Sequence, residues 1–373
     1  MDQTVASPAA SPALIYDGKI SELYRIFALN VLFKILTLGI FRFWAITRYR
    51  RYIWSRMQFQ GERFEYTGTG GQLFVGYLLA GVVLVGGAAV TGLTAFIVGR
   101  LWHPLTFLPF LLFYLFVGVL ATGAVFSAQR YRLSRTLWCG IHGGMQGSMF
   151  SYGLQATFYG FLAGLTWLQL VPWIQVRLAE RRINASSFGS VAFSFHGRAR
   201  RLYLAYLLTF LGGLVLFVIV SAVAWSILQG LPFELLTSTL PEDAHAKASL
   251  TRKMSWTLAG GLIIFVTLAR LLGSWYTATF ERHVAGNATL GTVHFASTLT
   301  GPALFALSLG NTLIMVFTLG LGYPIVLHRN ARMLAHTLQA DSALDASMLR
   351  QSGLSASRFG EGMFQQLDAG AVL

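Results

Sequence analysis

Cys139 and His142 stand three residues apart in RTLWCGIHGG, a spacing that could supply two corners of a zinc site. One such pair cannot close a tetrahedral centre, and the chain has a single cysteine. TGTGGQL (67–73) follows a strand-like stretch and opens an apolar one, as a phosphate-cradling loop does. Its counterpart HGRARRL (196–202) keeps only the first glycine, which favours a plain turn. The eight histidines are scattered. No nucleophile–base–acid set and no paired carboxylate lies inside an apolar segment. The expectation is a protein that is not an enzyme and uses no cofactor and no metal.

The remaining chemistry belongs to polar groups in greasy surroundings. Arg270 sits inside GLIIFVTLARLLGSWY, where an ionisable group costs at least ~2.5 kcal/mol to insert. It is either a solute contact or an arginine snorkelling to the cytoplasmic end. Lys34 gives way to Met315 in a matching segment, which favours snorkelling. Asn30 and Asn311 occupy matching positions, as polar bridges between helices or as ligand contacts. Arginines gather at the mouths of apolar runs: Arg48, Arg51, Arg177, Arg181, Arg198, Arg200, Arg201, Arg329 and Arg332. They suit anionic lipid headgroups or the entrance for an anionic solute.

These groups need a membrane to position them. The 373-residue chain is 55% hydrophobic and 11% charged, against about 25% charged in soluble domains. Its mean hydropathy is +0.59. Segments near 72–99, 104–128, 202–229 and 254–280 are long enough to span a bilayer. The net charge is +14, and most arginines flank these segments without any nucleic-acid fold signature, so nucleic acid is not an expected partner. The positive-inside bias turns the arginine clusters towards the cytoplasm. The opening MDQTVASPAASPAL lacks a basic start and an apolar core, and reads as a tail rather than a leader.

The chain also repeats. A shift of 129 lays Arg48 on Arg177, Phe59 on Phe188, Gly68 on Gly197 and Tyr77 on Tyr206. A shift of 281 lays TLGIFRFWAITRYRR (37–51) on TLGLGYPIVLHRNAR (318–332). Weaker copies fall at 130–144 and 281–295. Each copy reads as a helix with a basic amphipathic end, a short strand pair and a glycine turn into the next helix. The boundaries expected are a disordered tail at 1–15, membrane repeats at 16–150 and 151–296, a partial third repeat at 297–336, and a C-terminal cytoplasmic tail at 337–373. Gly81, Gly87, Ala88 and Gly92 should form a close-packing face.

Three further segments, 24–44, 151–176 and 302–327, are short, or are interrupted by Thr37-Leu38-Gly39, Pro172 or Pro324. The expected fold is therefore an all-α polytopic membrane protein with internal repeats and about seven hydrophobic segments. It has four full spans, three broken or re-entrant helix pairs, and short cytoplasmic β-hairpins. The alternative is seven ordinary spans, with the third arginine copy outside.

The residues that repeat also carry a likeness. Gly18, Glu22, Asn30, Thr37-Leu38-Gly39-Ile40, Trp44-Ala45, Arg50-Arg51-Tyr52, Gly61, Phe64 and Tyr66 match the pattern of the YjgN-like family of bacterial inner-membrane proteins. The C-terminal GEGMFQQLDAG (360–370) resembles that family's terminal signature. The middle copies depart from it, with Gly143 in place of Phe64 and Glu180 in place of Arg51. The resemblance implies a bacterial inner-membrane, multi-pass protein and hands over no catalytic residues. Two functions are expected from the sequence. The first is a transporter or channel for a small anionic or zwitterionic solute. The second is a non-transporting scaffold or sensor that grips anionic lipid headgroups and a protein partner, which could be a second copy.

Overall fold

The structure is a computed structural model that describes residues 11–229, 244–342, 344 and 350. The tail expected at 1–15 thus lies outside the described residues up to residue 10, and the signature at 360–370 lies outside them entirely. In chain order the elements are β1 (Ser11–Pro12), β2 (Leu14–Tyr16), α1 (Ile20–Leu36), α2 (Arg42–Ser55), β3 (Met57–Phe59), β4 (Glu62–Tyr66), α3 (Gly70–Leu101) and α4 (Phe107–Ser134). Next come β5 (Thr136–Trp138), β6 (Ile141–Met145), α5 (Met149–Leu165), α6 (Val171–Asn184), β7 (Ser186–Phe188), β8 (Val191–Phe195) and α7 (Tyr203–Gln229). The chain finishes with α8 (Ala244–Ala285), β9 (Ala288–Leu290), β10 (Val293–Ser297), α9 (Gly301–Phe317), α10 (Tyr323–Thr337) and β11 (Leu338–Ala340). It forms two compact units: Arg200–Glu281 with Leu299–Leu313 is one, and the rest of the described chain, holding every described strand, is the other.

Four helical stretches are long and apolar enough to cross a membrane: Gly70–Leu101, His103–Ser134, Ala199–Ile227 and Met254–Ala285. They coincide with the four segments read from hydropathy. At most 11% of each apolar window is buried, so these helices are apolar on faces that nothing among the described residues buries. Lipid is the medium that such a surface requires.

The expected hairpins form, each closed by a two-residue turn: Phe59 faces Glu62, Trp138 faces Ile141, Phe188 faces Val191 and Leu290 faces Val293. They are not separate. Antiparallel pairing joins them into one eleven-stranded sheet, in the order β1-β11-β10-β9-β8-β7-β6-β5-β4-β3-β2. The two ends of that order are consecutive in the chain. Ser11 and Pro12 pair with Ala340 and Gln339, the Ala13 amide donates to the Leu338 carbonyl at 2.9 Å, and Leu14–Tyr16 pairs with Met57–Phe59. The sheet curls until six residues of chain bridge its edges. Residues 11–12, 14–15 and 338–340 are therefore strand where tails were expected, because each satisfies its backbone groups on a neighbour.

The curl gathers a core. β3 and β5 have β4 between them, so their backbones lie about 10 Å apart. The rings of Phe59 and Trp138 nevertheless approach to 5.2 Å, and those of Trp138 and Phe188 to 6.0 Å, because they converge from the concave face. Leu14, Leu290 and Ala340 join them, with Ala45, Tyr49 and Ile53 of α2 and Leu327, Ala331 and Ala335 of α10.

The three short helix pairs are all broken: the first at Thr37-Leu38-Gly39 as read from sequence, the second and third just before Pro172 and Pro324, which instead open α6 and α10. At matching positions the chain turns through left-handed backbone: Leu38 and Gly39 (φ 50° and 90°), Trp167 and Leu168 (49° and 68°), Leu319 and Gly320 (50° and 87°). In the first turn every amide from Thr37 to Arg42 finds a partner inside the turn, including Gly39 to Lys34 at 2.7 Å and Phe41 to the Thr37 hydroxyl at 2.9 Å. The third turn repeats this, with Gly320 donating to Met315 at 2.9 Å and Gly322 to the Thr318 hydroxyl at 2.7 Å. The side chains at these turns are apolar and bare: Leu38 is 95% exposed, Trp167 84% and Leu319 92%.

One packing expectation is corrected. Around Gly81 and Gly92 there is open space, and Ala88 is exposed; of that set only Gly87 approaches a neighbour, the Phe113 ring. The close helix contact is between α4 and α5, where a Cβ on Gly153 would stand 2.3 Å from the Val119 carbonyl oxygen. Spacing of small residues along one helix does not reveal which partner needs them.

Candidate functional site

The described chain brings its polar chemistry together most densely between α1 and α2. α2 is a basic helix with three faces. Ala45, Tyr49 and Ile53 recur every fourth residue and enter the core. Arg50 is buried on a second side and donates to the Tyr66 hydroxyl at 3.3 Å. Arg48, Arg51, Tyr52, Ser55 and Arg56 form the third face, which looks across at α1.

Tyr52 fixes the two helices at the sheet end. Its hydroxyl accepts from the Lys19 amide at 2.7 Å and donates to the Lys19 carbonyl at 3.0 Å, so it holds the N-cap of α1. Arg56 pairs with Glu22 at 2.8 Å, and Arg63 of β4 pairs with Asp17 at 2.5 Å. The hydrogen bond from Arg63 holds the Asp17 carboxyl below the usual carboxylate range. Both pairs are part-exposed, so solvent screens them and each contributes little to stability.

Two adjoining clefts lie along this face. One, of about 560 Å³, is lined by Glu22, Arg25, Ile26, Tyr52, Ser55, Arg56 and Arg63. The other, of about 420 Å³, shares Ile26, Tyr52 and Ser55 and adds Leu29, Phe33, Arg48 and Arg51. Arg48 donates to the Asn30 Oδ1 at 3.4 Å and lies over the rings of Phe33 and Phe41 at 5.7 and 4.9 Å. Arg51 reaches the Gly68 carbonyl at 3.5 Å. The second cleft is thus basic along α2 and apolar along α1, while the first adds Glu22 and Arg25 from α1.

Of the residues singled out from sequence, Asn30, Arg48 and Arg51 meet here, and Asn30 is fully buried. Lys34 lies part-buried in the last turn of α1. On α6, Arg177 pairs with Glu180 at 2.9 Å, whereas Arg181 binds the Ser151 hydroxyl at 2.7 Å and the Gln155 side chain. Arg198 follows β8 and is exposed, and Arg329 and Arg332 lie on α10. In the second unit Arg200 and Arg201 stand exposed before α7, Arg270 is exposed on α8, and Asn311 is part-buried in α9. Neither of the two clefts is lined by Arg270 or Asn311, and a third, at Thr91, Thr94, Pro109 and Phe113, is mainly apolar.

Sequence reasoning did not single out as site residues Arg25, Tyr52, Arg56 and Arg63, nor the acids Glu22 and Asp17 that pair with Arg56 and Arg63. The available signal was the acids: two carboxylates within six residues, in a chain with 14 acids against 28 bases, invite a search for their partners. Cys139 sits exposed in a hairpin turn, and the described residues contain no group of three or more His, Cys, Asp or Glu able to hold a metal. Asn184 accepts from the Phe195 amide at 2.7 Å, and Asn287 donates to the His283 carbonyl at 2.7 Å.

A family described as "Bacterial protein of unknown function (DUF898)" matches residues 11–366. "Inner membrane protein YjgN" of Salmonella typhimurium (strain LT2) is 32% identical over 136 residues, 36% of this chain and 32% of that protein. The protein of the same description from Escherichia coli (strain K12) is 38% identical over 68 residues, 18% of this chain and 17% of its own. The aligned stretch spans about a third of the first relative's length and less of the second's. No solved structure matches the chain.

Proposed function

Because the chain belongs to DUF898, bacterial proteins of unknown function, we propose from its own geometry that it is a non-transporting, multi-pass inner-membrane protein that binds anionic lipid headgroups. In the unit that contains the strands, the spans α3 and α4 and the re-entrant pairs α1–α2 and α5–α6 hold the curled sheet at the cytoplasmic surface. The sheet then offers its outer face to a protein partner. The repeat read from sequence is the reason for three such pairs.

The observation that carries this reading is the construction of the turns. Backbone at membrane depth must satisfy its own hydrogen bonds, since hydrocarbon offers no partner. The turns at 37–42 and 318–323 do so amide by amide, and they present bare leucines. α1 has 17 residues, about 25 Å of helix, which is short of the ~30 Å hydrocarbon thickness. Such a pair dips in and returns. The arginines at the opposite ends of the pairs then meet the headgroup layer that attracts them.

Transport of a small anionic or zwitterionic solute is the second reading. It is favoured by buried Asn30 beside Arg48 near a helix break, an arrangement that recurs at solute sites. The packed core inside the curled sheet argues against a path along the sheet's axis.

Labelling separates the architectures. The single cysteine, Cys139, is expected to react with an impermeant maleimide in inverted vesicles and not in spheroplasts. In a Cys139→Ala background, Leu38→Cys and Leu319→Cys are expected to resist labelling from both sides. Periplasmic labelling of Leu319→Cys would overturn the re-entrant reading. Native mass spectrometry of the purified protein should show retained anionic phospholipid, and solute flux through proteoliposomes without such retention would favour transport.

A further inference from the structure

We infer that the α1–α2 cleft is a specific site for one anionic phospholipid, bound by its phosphate to Arg25, Arg48 and Arg51 with an acyl chain along Leu29 and Phe33. The inference rests on the headgroup-binding reading and narrows it to one place.

Charge supplies the first argument. Five arginines line the two adjoining clefts, and acids neutralise two of them: Glu22 on Arg56 and Asp17 on Arg63. Arg25, Arg48 and Arg51 have no acidic partner among the described residues. Arg48 and Arg51 make only long hydrogen bonds, at 3.4 and 3.5 Å, to neutral oxygens. A phosphate diester offers what these groups lack, a charged acceptor that can take paired N–H donors. The ion pairs and Tyr52 hold the walls in place before anything binds, so little ordering cost falls on the ligand.

The apolar wall argues for a lipid rather than free phosphate. Ile26, Leu29 and Phe33 follow one face of α1, and that face runs on towards the bare turn at Leu38. Arg48 lies over Phe33 and Phe41, so cation and greasy surface meet at one point. A headgroup at the arginines therefore has hydrocarbon beneath it. Inorganic phosphate would leave this wall uncovered.

The second broken pair supplies a built-in contrast. On α6, Glu180 stands at the position of Arg51 and pairs with Arg177, while Arg181 donates to the Ser151 carbonyl and hydroxyl and to the Gln155 side chain. There Arg177 has an acid of its own and Arg181 has three internal acceptors. The site is thus expected at the first pair and not the second.

The test uses the full chain in nanodiscs containing phosphatidylcholine with or without phosphatidylglycerol, transferred to detergent and read by native mass spectrometry. Wild type should retain one phosphatidylglycerol. Arg48→Gln with Arg51→Gln should lower its occupancy about tenfold or more, while Arg177→Gln with Arg181→Gln should leave it unchanged. Leu29→Trp, which fills the apolar wall and keeps every charge, should also lower it. Thermal unfolding in detergent establishes that each variant is folded. Equal loss in both arginine pairs would overturn the specific site and leave general headgroup binding standing. Full retention in Leu29→Trp, with displacement by millimolar inorganic phosphate, would assign the arginines to free phosphate and overturn the lipid. No retained lipid in wild type would sink both this inference and the reading beneath it.

Discussion

Replacing Gly39 by alanine isolates the backbone term at the first turn. The residue sits at φ +90°, and nothing lies within 4 Å of where its Cβ would be, so no collision contributes. An L residue held in left-handed backbone costs roughly 1–2 kcal/mol. Removing a glycine returns about 0.4–1 kcal/mol by stiffening the unfolded chain. The φ of Gly39 lies beyond the left-handed basin centred near +57°, which places the cost at its upper end. A net loss of about 1 kcal/mol is expected, and similarly for Gly320→Ala, whose nearest atom is Met315 Cε at 4.0 Å. The second turn carries the reverse experiment, because Leu168 holds φ +68° where its counterparts are glycines. Leu168→Gly should therefore stabilise, by about 0.5–1 kcal/mol on the same arithmetic. Reversible unfolding in mixed micelles, followed by circular dichroism, measures all three. A neutral Gly39→Ala, or a Leu168→Gly that destabilises, would refute the account of the turns.

Two other perturbations test the sheet. Trp138→Ala removes the ring that bridges Phe59 and Phe188, and should cost about 3–5 kcal/mol in the same unfolding assay. His328 faces Tyr16, and burial, then Arg332, lowers its pKa. The folded chain therefore keeps it neutral while the unfolded chain protonates it near pH 6.5. Its contribution is full above that pH and is lost as pH falls through the depressed folded value. Stability of wild type should decline between pH 7 and 5 more steeply than that of His328→Gln, and parallel pH profiles would exclude the effect.

Local patterns were readable and distant ones were not. The four long apolar helices follow from uninterrupted apolar length, and the break at 37–39 from a threonine and a glycine inside a short run, whereas Pro172 and Pro324 marked the second and third breaks only to within a few residues. Phe193 and Phe195 alternate with polar neighbours and do form β8. The union of hairpins left no trace of this kind: β4 and β5 pair across 69 residues, from Tyr66 to Thr136, through main-chain bonds that no side-chain pattern reports. At the candidate site, Arg48 and Asn30 were visible because their matched copies drew attention to them. Arg25 and Tyr52 have roles set by the crossing of two helices, and Tyr52 acts through its hydroxyl on a backbone 33 residues away. Such geometry exists only after folding.

The residues at 11–16 leave the ribosome long before 338–340, where half of their partners lie. The sheet can be sealed only once the chain has been synthesised through Ala340 and the four long apolar helices between the two segments have formed. Until then β10 and the first strand each expose a bare hydrogen-bonding margin, the kind of margin along which chains aggregate. Completion is thereby coupled to inspection: a product truncated before Leu338 lacks its clasp, and the unmated margins mark it as unfinished.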